Sequence, residues 1–262
     1  MRPENRFHNP MEQNLYDIVL IIAAGFNLVM AFALVHNSLW FREYDVYRRS
    51  RLFSALVFVA FAVGFLLHSH YQWRASWPEA ASALSVSYFH VGAVFFGWSH
   101  TSLMRPDYLT RCIVVRDLSI LVVGIVACWL SAMGRLAILH SEFSIFFVHS
   151  TYIAYVFYRT YFRVRRSLSD RTADDNAPRW WTAEAKREVL MSHNSFVIGG
   201  NLIILFGIGS IVFTAALPHA IWPYTVLLAV GTVVFCYIFY ALEDYGNIID
   251  AATHATEDAV SK

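Results

Sequence analysis

Histidines are the residues of this sequence best suited to chemistry, because several of them fall within long apolar segments. The chain has 11 histidines among its 262 residues. An ionisable side chain at membrane depth is costly, so such residues are candidates for function. Neutral imidazole nitrogens bind haem iron and transition metals, and imidazoles also exchange protons near neutral pH.

The histidines form two groups, near the two predicted faces of a membrane. His90 and His149 lie well inside the third and fifth apolar segments, in the middle or outer half of the bilayer. We expect the outer group, with two interior asparagines, to line a ligand pocket. The predicted ligand-binding residues are His68, His70, His90, His149, Asn27 and Asn201.

A two-haem membrane cytochrome would need two such histidine layers, with imidazoles as axial ligands. For this alternative the candidate ligands are His36, His90, His100, His149 and His193. A transition metal could use the outer group in the same way. The ordinary role of a buried histidine is instead a hydrogen bond to a nearby carbonyl or hydroxyl. Haem b, a transition metal and structural histidines therefore remain three alternatives.

Other chemistries are not indicated. Retinal needs a lysine in the last segment, and Ile221–Leu242 has none. No GxSxG, HExxH, P-loop or GxGxxG motif occurs in a fitting context, and three distant cysteines suggest neither disulfides nor zinc. Asp117 begins the fourth segment and is interpreted as interfacial, so no acidic residue is predicted at mid-bilayer. We therefore favour a protein that is not an enzyme.

The elements that must position these residues are apolar helices. The chain is 57% apolar and only 15% charged, whereas soluble domains carry about 25% charged residues. Seven segments approach the roughly 20 apolar residues needed to cross a bilayer. They are Leu15–Trp40, Leu52–Trp73, Ala80–Met104, Leu118–Leu139, Phe143–Phe162, Phe196–Leu217 and Ile221–Leu242. The predicted fold is an all-α bundle of seven transmembrane helices.

Arginine and lysine in the connections predict the orientation. Fifteen of them lie on the connections after the first, third and fifth segments, and two lie on the alternate ones. The N-terminus is therefore predicted outside and the C-terminus in the cytoplasm. The predicted divisions are an outer tail (1–14), a membrane domain (15–245) with a cytoplasmic loop (164–192), and a cytoplasmic tail (246–262). Within that loop, a helix is predicted over Ala183–Leu190.

Two stretches carry a resemblance to a known class. Tyr44–Arg51, with the sequence YDVYRRSR, and Ser87–Arg111 resemble the multi-pass membrane modules that precede histidine-kinase or AraC-type output domains in Bacteroidota-like sensors. The resemblance implies a sensory membrane module with a cytoplasmic readout. Only Asp244–Lys262 follow the last segment, so signalling is expected to need a separate partner.

Together these observations predict a sensor or interaction module in the inner membrane. Its ligand is expected to be small or lipid-like, because the bundle contains 21 phenylalanines and 14 tyrosines. Its partners are the lipid bilayer and a membrane or cytoplasmic protein. A net charge of +1 gives no case for nucleic acid. An accessory subunit of a larger membrane complex is a further alternative.

Overall fold

The computed structural model describes residues 10–39, 41, 44–134, 141–171, 183–217 and 221–260. Within them the chain forms eight α-helices, one 3-10 turn and no β-strand. The helices are α1 (Pro10–Asn37), α2 (Asp45–Tyr71), α3 (Trp73–Ser76), α4 (Pro78–Met104), α5 (Arg111–Ala132), α6 (Ser141–Arg171), α7 (Ala183–Ala216) and α8 (Trp222–Val260). The 3-10 turn Pro106–Tyr108 lies between α4 and α5.

Six helices in the described part of the chain are long and apolar enough to cross a membrane. These segments are Met11–Asn37, Asp45–Tyr71, Pro78–Met104, Arg111–Ala132, Asn194–Thr214 and Trp222–Gly246. Because backbone polar groups must be paired within lipid, helices are the expected form of such segments. The structure thus supports a multi-pass membrane protein with six candidate spans. The predicted fifth span, Phe143–Phe162, lies in α6, which is more polar and is not among the six.

Large apolar side chains cover the outside of the bundle. Ile18, Val29 and Phe32 on α1 are each more than half exposed. Val122 on α5 and Val233 on α8 face outward in the same way. An apolar exterior of this extent is what a helix bundle in a lipid bilayer presents.

The helix α4 is central, since it packs against α2, α5, α6 and α7. On its α2 side, Gly64 faces the ring of Tyr88, and Gly92 faces the ring of Phe61. Small residues let membrane helices approach closely, and close contact is a main driving force for their association. Phe61 in turn packs on Phe235 of α8, with ring centroids 4.6 Å apart.

The helix α6 runs beside α4 in the same direction. Phe146 shares an apolar cluster with Val86, His149 contacts His90, and Phe157 lies 6.3 Å from His100 between ring centroids. Residue numbers therefore rise together along both helices. By contrast, α6 makes little contact with α7.

Two helices extend beyond the predicted spans. The predicted helix at Ala183–Leu190 is confirmed, and it continues without a break through the sixth segment as α7. The helix α8 continues to Val260, so most of the predicted tail 246–262 is helical. The predicted tail 1–14 is helical from Pro10, and residues 1–9 lie outside the described residues.

Candidate functional site

His90 and His149 contact each other in the middle of the bundle. His90 lies halfway along α4 and His149 lies on α6, and both are at least 97% buried. The His90 Nε2 and His149 Nδ1 atoms are 2.9 Å apart, which is a hydrogen-bond distance. Gly124 on α5 leaves room for the His90 ring, because a Cβ there would lie 2.9 Å from His90 Cε1. The sequence prediction therefore named two residues that form one unit.

Asp117 on α5 anchors this pair. Its carboxylate is fully buried, and one oxygen lies 3.5 Å from His149 Nε2, at the upper limit of a hydrogen bond. Trp98 Nε1 donates to the other oxygen at 2.8 Å, and Arg116 Nε donates to the first at 2.8 Å. Charge-assisted bonds of this kind stabilise a buried carboxylate in its ionised form. Asp117 therefore joins α4, α5 and α6 through one side chain.

The chain of polar contacts reaches the surface at Arg116. Arg116 is 37% exposed, donates to the Tyr152 hydroxyl at 2.9 Å, and lies over the Tyr152 ring. Tyr108 in the 3-10 turn lies nearby, and burial raises the pKa of its hydroxyl to about 12, so that group stays neutral.

Asp117 was interpreted as interfacial from the sequence, and its burial within the bundle was not predicted. The helix α5 begins at Arg111, so Asp117 lies six residues into it, about 9 Å along the axis. The apolar residues Ile113, Val114 and Val115 before it were the available signal. They show that the apolar segment begins before Leu118.

A second feature is an apolar cavity of about 190 Å³ between α4, α6 and α7. Its walls also include one phenylalanine each from α2 and α8. Small residues line much of it: Gly92, Ala93, Gly97, Ala154, Gly200 and Gly207. Aromatic rings supply most of the remaining wall: Phe61, Phe89, Phe96, Phe146, Phe147, Phe157, Phe206 and Phe235.

The cavity reaches the outside of the bundle between α6 and α7. Phe147 on α6 and Ile208 on α7 line it, and these residues are 50% and 45% exposed. Ser150 also lines it, and its buried hydroxyl has no hydrogen-bond partner. The cavity is thus an apolar space with one unused hydroxyl in its wall.

Two other predicted residues lie near this cavity. His100 lines it, stacks on Phe196 with ring centroids 4.5 Å apart, and places Nδ1 2.9 Å from the Phe96 carbonyl. Asn201 on α7 accepts a hydrogen bond from the Tyr158 hydroxyl on α6. This bond links the two helices that border the opening.

His68 and His70 do not join the central pair. His68 is buried, and its Nε2 lies 3.2 Å from the Ser85 hydroxyl on α4. His70 is exposed and packs on Tyr71. The predicted pocket with four histidines is therefore divided between separate places.

Close to His68 lies a buried arginine that the sequence did not single out. Arg74 on α3 is 1% exposed, donates to the hydroxyls of Ser82 and Ser85, and lies 3.8 Å above the Tyr224 ring of α8.

The remaining predicted residues have simpler surroundings. Asn27 is fully buried and donates to the Ala23 carbonyl of its own helix at 2.7 Å. His36 is exposed and stacks on Phe32. His193 lies in α7, and its side chain is outside the described part of the structure.

An ion pair at the other side of the bundle joins α1, α2 and α8. Arg51 is fully buried and donates to both carboxylate oxygens of Glu243, at 2.9 and 2.5 Å. Its Nε donates to the Leu34 carbonyl at 3.2 Å, and Tyr47 donates to the Leu242 carbonyl at 2.9 Å. Every strong polar group in this cluster thus has a partner.

The haem and metal alternatives have limited support from this geometry. An iron between two axial imidazoles separates their nitrogens, whereas those of His90 and His149 contact each other directly. Among the described residues, no three His, Cys, Asp or Glu side chains gather as metal ligands. Both alternatives stay predictions, which a visible spectrum and metal analysis of the purified protein would test.

Comparison with known proteins does not assign this chain to a family. No protein-family model, no curated protein and no solved structure matches this chain.

Proposed function

We propose that this protein is a multi-pass sensor module of the inner membrane that binds a lipid-like ligand in the cavity between α4, α6 and α7. The observation that carries the proposal is that cavity itself, which has an apolar lining and reaches the outside of the bundle. Binding sites for small molecules are mostly apolar cavities with a few polar groups that fix orientation. Ser150, Thr151 and His100 are polar residues of the lining that can serve in this way.

The size of the cavity indicates the class of ligand. A dry apolar cavity of about 150 Å³ is enough for benzene. At about 190 Å³, this cavity suits one ring system or a segment of an acyl chain. Because Phe147 and Ile208 border the opening at the outside of the bundle, such a ligand can enter from the bilayer and leave its remainder among the lipids.

We further propose that α6 is a seventh span, with the N-terminus outside and the C-terminus in the cytoplasm. The support for the seventh span is that α6 follows α4 in parallel from Val86 to His100. A helix beside a spanning helix over this length lies at the same depth. The support for the orientation is the excess of arginine on alternate connections.

The sensor role draws on the long helices α7 and α8. With 34 and 39 residues, they measure about 51 and 58 Å, against a hydrocarbon core of about 30 Å. Gly200 and Gly207 of α7 line the cavity, and the same helix runs back to Ala183. A change at the cavity would therefore reach the protruding end of α7, where a partner protein would read it.

Photolabelling tests the ligand site. The full-length protein in lipid nanodiscs would be irradiated with a diazirine-bearing fatty acid, and the labelled residues identified by mass spectrometry. We expect labels on interior lining residues such as Ala154 and Ile203.

A matched pair of variants provides the control. A Cβ added at Gly207 or at Gly209 meets nothing within 4 Å, but only Gly207 lines the cavity. Gly207→Leu should remove the interior labels, and Gly209→Leu should keep them. Equal labelling in both variants, or no interior labels in the wild type, would show the ligand site to be wrong.

The seventh span has its own test. In a Cys112→Ser background, Met133→Cys and Arg166→Cys place thiols at exposed positions before and near the end of α6. A membrane-impermeant thiol reagent added to intact cells should label only the first. Labelling of both from the same side would contradict a crossing by α6.

A further inference from the structure

We propose that His90, His149 and Asp117 form a proton relay between the middle of the bundle and the surface beside Arg116. This inference is independent of the ligand site, because none of these residues lines the cavity. It begins from one observation: two buried imidazoles and a buried carboxylate form a single line of polar contacts across α4, α6 and α5.

The carboxylate determines the direction of each hydrogen bond. An ionised carboxylate only accepts, so His149 Nε2 must carry the hydrogen that faces Asp117. In the neutral imidazole, His149 Nδ1 is then an acceptor, and His90 Nε2 must donate to it. His90 Nδ1 is left with its lone pair, next to Gly124. Both hydrogen bonds of the line therefore donate in the direction of Asp117.

The two ends of the line lie at different depths. His90 is the thirteenth of the 27 residues of α4, which places it at the middle of that helix. Asp117 lies about 9 Å along α5 from its first residue, and its neighbour Arg116 is 37% exposed. The contacts therefore run from mid-span to a position that water reaches.

This arrangement allows a balanced proton transfer. When an acidic donor at mid-span gives a proton to His90 Nδ1 and keeps the bonding electron pair, the proton on His90 Nε2 passes to His149 Nδ1. The proton on His149 Nε2 then passes to Asp117, and the neutral acid releases it to water beside Arg116. No electron moves and no heavy-atom bond breaks. After the transfer each imidazole carries its hydrogen on Nδ1 instead of Nε2. Rotation of both rings, or the reverse transfer, restores the starting Nε2–H tautomers.

Because of the ionisable groups that surround the line, the two histidines are the residues that carry the proton. Arg116 on α5 keeps its charge and donates to the Tyr152 hydroxyl of α6, and burial keeps the Tyr108 hydroxyl in the 3-10 turn neutral at physiological pH. Cys128 of α5 lies in the apolar cluster that includes Phe146, whose ring packs on His90.

Nuclear magnetic resonance of nitrogen-labelled histidine tests the relay in the full-length protein. In the wild type, we expect both neutral imidazoles as the Nε2–H tautomer, and exchange of both N–H groups with deuterated solvent. A His90 Nδ1–H tautomer, or no exchange at either histidine, would overturn the relay without any variant being needed.

Variants sharpen the test. Asp117→Asn removes the carboxylate that accepts the proton from His149, so exchange at His90 should be slower than in the wild type. Asp107→Asn, at an exposed acid of the 3-10 turn, and His36→Gln, at an exposed histidine, should leave that rate unchanged. A purely structural network would leave exchange at His90 the same in Asp117→Asn as in the wild type.

Discussion

Two buried ionic clusters in this bundle are built from similar groups and differ in how they end. The Arg51–Glu243 pair is bidentate and closed, since the Leu34 carbonyl accepts from Arg51 Nε and the Tyr47 hydroxyl accepts from Arg51 Nη1. The line from Asp117 through His149 to His90 ends differently, in an imidazole nitrogen that lies beside Gly124. A closed ion pair stabilises one arrangement of helices. An open chain of imidazoles can take up and pass on a proton.

Packing divides the molecule in the same way. Beside the closed pair, α1, α2, α4 and α8 share one apolar core that includes Phe58, Phe61 and Phe235. On the other side, α6 and α7 barely touch, and a cavity of about 190 Å³ lies between them. We therefore expect substitutions on the α1–α2–α8 side to change stability, and substitutions on the α6–α7 side to change binding.

The largest effect is expected from Arg51→Ala. The substitution leaves the Glu243 carboxylate without its cationic partner at the contact between α2 and α8. That carboxylate is 25% exposed. Breaking a buried pair from one side costs several kcal/mol, so we expect a loss of about 3 kcal/mol in the free energy of unfolding. Denaturant titration in detergent micelles measures it. The exposed Arg48–Asp45 pair is the control, and Arg48→Ala should cost less than about 1 kcal/mol. Equal losses of stability in Arg51→Ala and Arg48→Ala would contradict the distinction between the buried and the exposed ion pair.

A smaller loss is expected from Trp98→Phe. The change removes the indole N–H that donates to Asp117 at 2.8 Å, while it keeps most of the aromatic volume. A hydrogen bond to a charged group contributes about 1.5–3 kcal/mol, so we expect a loss near 2 kcal/mol in the same titration. An unchanged free energy of unfolding would mean that Asp117 does not depend on this donor.

Gly124→Ala should destabilise the protein by about 1–2 kcal/mol, because overpacking displaces the His90 ring. The added Cβ would lie 2.9 Å from His90 Cε1 and 3.0 Å from Nδ1. Gly25→Ala is the matched control, since a Cβ there meets nothing within 4 Å. It should leave stability unchanged or raise it by up to about 1 kcal/mol through helix propensity. A larger loss of stability in Gly25→Ala than in Gly124→Ala would contradict the contact between α5 and His90.

The smallest effect on stability is expected from Gly207→Leu. The new side chain enters open space, and leucine favours helix over glycine by up to about 1 kcal/mol. The free energy of unfolding should therefore stay the same or rise slightly, although binding is expected to be lost. A large destabilisation would show that the space is not a cavity that a side chain can occupy.

The sequence predicted the helices better than it predicted their contacts. Apolar length alone located the six candidate spans, and the cost of a buried charge singled out His90 and His149, which lie in contact. The distance between these two residues depends on how α4 and α6 are aligned, which no periodicity within one helix determines. The same holds for Arg51 and Glu243, which are far apart in the chain.

The structure also shows why some predictions stayed coarse. His68 and His70 lie two residues apart on one helix and therefore face different surroundings, so they could not share one site with His90. The burial of Asp117 was not predicted, because the apolar segment was started at Leu118, one residue after the acid. The cavity follows from the small residues Gly97, Gly200 and Gly207 on two different helices, and its volume emerges only when those helices are packed.

Native mass spectrometry of the protein extracted from its own membranes tests the central claim most directly. The account predicts that the wild type and Gly209→Leu retain one bound lipid-like molecule after delipidation, whereas Gly207→Leu does not. A wild type without a bound molecule, or the same molecule on all three proteins, would contradict a ligand site between α4, α6 and α7.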